Sequence, residues 1–436
     1  LDSLHLNVIG TNQKLNFSAG WASIEAGPIS MQQFNLNGYA KENKLIMKLH
    51  APEEDGSIID IRTEMKIAGD TLDFFIEPDT FIMHRKMWVV PENNNILIAP
   101  NYVRFENFSL SHKNQQIALS NFGDDNPYQN AKVSVDHFNL MTLASFLNSS
   151  DTIASGVMDG EISMAHLFSN SALLADLSIN QLASQGVTFG DLNLKAEKGS
   201  ASDYNFSMSI QNGQADLSLK GSFVPSDVAT NLDLNLNMER IEAEIMNAFL
   251  SDEISDPSGY LSGDISISGN TTNPKYSGDL QFHEFGLKIN SLNTSFSIDS
   301  ESLTIDNDGV YLKDFDISDQ DNNSFAINGT IATANLMNPT FDLNLVARNF
   351  TAVNSDKDDN ELFYGKVGLD ADLTVKGNLA VPRIRGSISV LKNSDFTMMV
   401  PESQADLVER EGVVIFVNKQ NPDDILTRKD EDVTNS

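Results

Sequence analysis

Side chains able to do chemistry are thinly spread along this chain. Its seven histidines (His5, His50, His84, His112, His137, His166 and His283) show no HExxH and no paired spacing, so neither a zinc site nor a general base is written into the sequence. GxSxG, Walker and GxGxxG motifs are missing, and without cysteine there are no thiolate ligands and no disulfides. The nearest approach to a metal motif is Asp306-Asn307-Asp308-Gly309, followed by Asp314, Asp316, Asp319 and Asp321. An EF-hand loop needs a fixed register of oxygen ligands around a central glycine. This segment does not supply it and reads as hairpin-turn chemistry. Neither an enzyme, nor a metal, nor a cofactor is expected.

The residue class left to carry function is apolar, and its spacing says which elements hold it. Leu232, Leu234, Leu236 and Met238 alternate with Asp233, Asn235 and Asn237. Phe206, Met208 and Ile210 repeat the pattern, as do Phe341, Leu343 and Leu345, and Leu369, Leu373 and Val375. Period-2 spacing puts all the apolar side chains of a strand on one face and the polar ones on the other. Such strands belong to antiparallel sheet with one wet face. The fold class is therefore all-β: an elongated, curled sheet with one or two short helices. A sheet of about 30 strands spaced ~4.8 Å apart would run on the order of 145 Å. Its apolar face must be closed, paired or curled into a trough.

Composition sets the partners. Apolar residues make up 40% of the 436, enough for a core but in a chain too long for one compact unit. The net charge of −32 leaves no cationic face for nucleic acid and disfavours adsorption to anionic headgroups. It keeps a long β-protein soluble and discourages edge pairing. Neither a run of about 18 apolar residues nor a signal peptide is present. The start in strand-like sequence suggests a segment whose targeting region lies elsewhere.

An internal repeat organises the chain. Residues 264–280 and 372–388 carry Gly269/Gly377, Asn270/Asn378, Pro274/Pro382 and Gly278/Gly386 in step. A unit of roughly 105 residues is implied, giving a divergent region 1–154, repeats 155–257 and 258–364, and an incomplete repeat 365–436 whose acidic end loses periodicity. Arg240 to Leu250, with Ile241, Ile245, Ala248 and Phe249 on one face, predicts a helix. Met141 to Leu147 predicts a second, shorter one.

The Gly-Asn-x-x-x-Pro-[Lys/Arg]-x-x-Gly string between alternating strands resembles the TamB family, AsmA-like proteins of the bacterial envelope, in a form closest to its Bacteroidota members. Gly263, Gly269, Pro274 and Gly278, and Gly368, Gly377, Pro382 and Gly386, carry the likeness. Phe396 to Val417 looks like the lead-in to the family's C-terminal domain. The resemblance implies a β-taco, a long sheet folded into a U around a hydrophobic groove. It further implies a periplasmic location, an inner-membrane anchor outside this segment, and an Omp85-type outer-membrane barrel (TamA-like) as partner. The implied roles are phospholipid movement and outer-membrane protein assembly and secretion.

On this reading the groove shields phospholipid acyl chains. Its expected lining is Phe206, Met208, Ile210, Leu217, Leu219, Leu232, Leu234, Leu236, Ile265, Ile267, Phe282, Phe296, Ile298, Leu303, Ile305, Phe341, Leu343, Leu345, Leu369, Leu373 and Val375. Two other readings fit the same strands: a structural or adhesive array with a filled core, and a scaffold offering its sheet edge to unfolded barrel strands.

Overall fold

Alternation does become strand throughout. The computed structural model describes residues 4–399 except 12, 27–28, 54–55, 84, 143–153, 169–171, 200–202, 227–228, 336 and 360–361. The described chain forms two antiparallel sheets rather than one: ten strands between His5 and Glu106, then nineteen between Phe108 and Met398. Apart from two short strands at Ile82–Met83 and Lys86–Met87, pairing follows chain order closely.

The divide falls inside a nearly continuous strand. Tyr102–Glu106 pairs backward with Asn95–Ala99, whereas Phe108–His112 pairs forward with Gln115–Ser120. Left-handed Asn107 (φ 46°) kinks the chain between the two halves. Asn121 spans the gap. Its Oδ1 accepts the Phe105 N–H at 2.9 Å, and its Nδ2 donates to the Val103 carbonyl at 2.9 Å.

The repeated string is a hairpin in both copies. Gly269 (φ 87°) and Gly377 (φ 99°) adopt left-handed backbone that glycine takes without strain. Asn270 Oδ1 then accepts the Asn273 N–H (2.9 Å), and Asn378 Oδ1 the Val381 N–H (2.8 Å). In register, Gly269 faces Pro274 and Gly377 faces Pro382.

The helices are shorter than the spacing predicts. Arg240, Ile241 and Glu242 finish the Asn231–Glu242 strand, and Ile241 pairs with Leu261. Only Ala243–Met246, as 3-10 helix, and Asn247–Leu250 turn helically. Sheet pairing of Ile241 outcompetes the helical face it would have joined. Leu140–Thr142 begins a helical turn; the rest of Met141–Leu147, and the frayed end expected after residue 420, lie outside the described residues.

Candidate functional site: a half-covered apolar trough

Cross-strand register converts the alternating residues into rows that run across the second sheet. One row passes through Leu110, Ile117, Val135, Gly160, Leu177, Leu194, Met208, Leu219, Leu236, Ile265, Gly278, Ile305, Val310, Ile331, Phe341, Gly377 and Pro382, each directly opposite the next. No polar side chain interrupts it over about 75 Å at ~4.8 Å per strand. A parallel row runs from Phe138 through Met158, Ile179, Leu192, Ile210, Leu217, Met238, Gly263, Leu280, Leu303, Leu312, Gly329, Leu343 and Val375 to Ile384. Phe206, Leu234 and Ile267 sit on a third. Between these rows the other face carries Asp159, Ser178, Asn193, Ser209, Ser218, Asn237, Asp264 and Asp279 in one line. Asp264 and Asp279 are directly opposed like charges, and each is satisfied separately, by Asn237 Nδ2 and Thr304 Oγ1 at 2.9 Å.

All twenty-one sequence-predicted lining residues are half-buried; none is fully buried and none is open. The rows bring most of them together on the trough walls. Phe282, Phe296, Ile298 and Leu369 are not wall residues. They belong to a crease that bends the sheet, a feature the alternation did not announce.

The crease is built the same way on strand after strand. His137 (φ 48°), Glu284 (φ 47°), Asp314 (φ 50°) and Asn349 (φ 52°) are left-handed. Each is followed at once by a buried phenylalanine: Phe138 (0% exposed), Phe285 (6%), Phe315 (4%) and Phe350 (6%). The extra polar residue is a β-bulge that shifts the side-chain phase and bends the strand. Its N–H, turned out of the ladder, is taken by the neighbouring strand. Asp159 Oδ1 accepts it from His137 (2.7 Å), Asn328 Oδ1 from Asp314 (2.7 Å) and Asp370 Oδ1 from Asn349 (2.7 Å). For Glu284 the acceptor is the Asp299 carbonyl (2.8 Å). Gln181 (φ 53°), bonded to Asp191 Oδ1 (2.9 Å), continues the line.

Below the crease the phenylalanines pack solidly. Phe296 stacks on Phe350 (centroids 5.6 Å apart), Phe325 leans on the same ring, and Phe282 meets Phe285 and Phe315 edge-on. Ala347, Phe350 and Ala371 form the buried cluster there. Above the crease the wall residues are half-buried as far as Val375, and the rows end in the exposed Pro382 and Ile384. In sequence the crease is marked only by a polar residue followed by phenylalanine, a pair that also occurs off the crease at Asn16-Phe17 and Asn205-Phe206 and so does not identify it alone.

Acidic clusters resolve into turn chemistry. Asp306 Oδ1 accepts the Asp308 and Gly309 N–H groups. Asp319, 2% exposed, accepts N–H groups of Asp321 (2.9 Å), Asn323 (2.8 Å) and Thr351 (2.7 Å), and the Asn323 amide as well. Burial pushes its carboxyl up, but these donors outweigh that and hold it below the usual carboxylate range. Among the described residues one grouping has metal-ligand spacing: Asp136, His137 and Asp159. It is the exposed crease at its first strand, where Asp159 already caps the His137 N–H.

No helix among the described residues is long and apolar enough to cross a membrane. Residues 313–435 match the model of the TamB C-terminal domain. Phe396 to Val417 therefore lies within the matched domain rather than leading into it. Neither the curated proteins nor the solved structures provide a match.

Proposed function

We propose, from the match of residues 313–435 to the TamB C-terminal domain, that this chain is a TamB-type protein of the bacterial envelope whose second sheet is a conduit wall holding phospholipid acyl chains. One observation carries the reading: unbroken apolar rows across the sheet, half-covered along the walls and filled only at the crease. Burying a methylene is worth about 0.8 kcal/mol, so a two-chain lipid gains more than ~10 kcal/mol in such a trough. The row residues are interchangeable in chemistry from strand to strand, so a chain sliding along them meets no deep trap. The role is non-catalytic. In the cell the chain works in the periplasm between an inner-membrane anchor and an Omp85-type outer-membrane barrel, supporting lipid transport and outer-membrane protein assembly; nucleic acid is not a partner.

Binding of a phospholipid carrying an environment-sensitive fluorophore on one acyl chain tests this. Enhanced, blue-shifted emission that is saturable and competed by unlabelled phospholipid is expected. Emission equal to that with an unrelated acidic β-protein would sink the idea.

A second reading rests on the Val381–Val390 strand. Every residue of it is exposed, it pairs in register with Phe363–Asn378, and only the short Asp395–Met398 strand follows it in the described sheet order. Such an edge suits addition of an extended peptide. Peptide binding that is abolished by a proline placed at Ser387, with the trough left intact, is what that reading expects.

A further inference from the structure

The rows, open at their far end at Pro382 and Ile384, are fully covered at the other, at the junction of the two sheets. There Val135 is 7% exposed and Phe138 0%, because residues from the first sheet's side lie on them. Phe81 (5%), Trp88 (0%) and Val90 (3%) form one cluster with both, packed against Leu110, Ile117 and Met158 of the same apolar rows. Trp88 lies 5.9 Å from the Phe138 ring, centre to centre.

This segment is not a stray loop. The Trp88 N–H bonds to the Phe81 carbonyl (2.9 Å), and Val89 exchanges backbone bonds with Ser111 (2.8 and 3.0 Å). It thereby occupies the flank of Phe108–His112 left open where the strand changes sheets. Buried Asn94 closes the far end, bonding both Ile76 N–H and carbonyl (2.9 and 2.8 Å). Residues alternate across it: Met87 and Val89 face solvent, Trp88 and Val90 face the rows.

We infer that Phe81 and Trp88–Val90 form an intramolecular plug that ends the acyl-chain trough of the second sheet at Trp88, so apolar cargo held beyond Met158 enters or leaves through the trough's open side there rather than passing directly along the rows into the first sheet. The inference rests on the conduit reading above and adds a boundary to it. The indole N–H of Trp88 is buried and has no partner. A side chain kept there at that cost is one whose bulk matters more than its polar end.

Contact quenching by phospholipid brominated on its acyl chains separates the two claims. The first protein is Trp21→Phe, in which Trp88 is the sole reporter. The second is Trp21→Phe/Trp88→Phe/Leu236→Trp, which reports from mid-trough. Loading is expected to quench the mid-trough reporter and leave Trp88 emission unchanged. Adding Phe81→Ala to the first protein is expected to make Trp88 quenchable. Quenching of Trp88 in the unopened protein, to the extent seen mid-trough, overturns the plug. No quenching at either position overturns the conduit reading itself.

Discussion

One carboxylate, that of Asp319, joins the turn at 319–323 to the Thr340–Ser355 strand through the Thr351 N–H. Replacing it with alanine strands those donors, and hydrogen bonds to a charged group are worth about 1.5–3 kcal/mol. Urea unfolding of Asp319→Ala is expected to show a loss of that size at neutral pH. Because its pKa is depressed on folding, the stabilisation is present above the ordinary aspartate range near about 3.9 and is lost as pH falls through the lower folded value. The difference between the parent and Asp319→Ala must therefore shrink on acidification. A pH-independent difference would show that the carboxylate is not the acting group. Asn349 makes a backbone counterpart. Its left-handed conformation costs alanine roughly 1–2 kcal/mol, so Asn349→Ala should destabilise while Asn349→Gly stays close to the parent.

At the level of the strand, crease and wall carry different duties. Phe350 is buried and stacked, so Phe350→Ala is expected to cost about 3–5 kcal/mol. Half-buried Leu343 should cost about 1 kcal/mol on the same change, since only part of its surface leaves water. Equal losses at the two sites, measured by denaturant midpoint, would mean that the walls are as filled as the crease. Leu232–Met238 and the Gly269/Gly377 hairpins could be read from sequence because alternation and turn chemistry are local. The Phe138, Phe285, Phe315 and Phe350 positions could not be separated from the walls by alternation alone. Their meaning depends on a bulge whose cap, such as Asp370 for Asn349, comes from another strand. Likewise Ile241 looked helical until Leu261 claimed it as a strand partner.

For the molecule as a whole, the apolar rows and the acidic outer face divide the labour. A net charge of −32 keeps a long, open sheet apart from its copies, while the rows present one uninterrupted hydrocarbon-like surface inside. Where Trp88 sits on that surface was beyond sequence reasoning, because Phe81–Val90 meets it only through the change of sheet at Asn107. Array closure by a filled core would also satisfy composition. The two accounts part company over whether the walls are dry and empty of anything but protein.

Native mass spectrometry of the chain, produced in a Gram-negative host and purified without detergent, addresses that directly. The conduit account predicts several phospholipids per chain, lost in Leu236→Asp/Ile265→Asp, whose two carboxylates would face each other across the middle of the longest row, in a protein that keeps its β-sheet circular dichroism. A folded parent that flies at its bare polypeptide mass would contradict it.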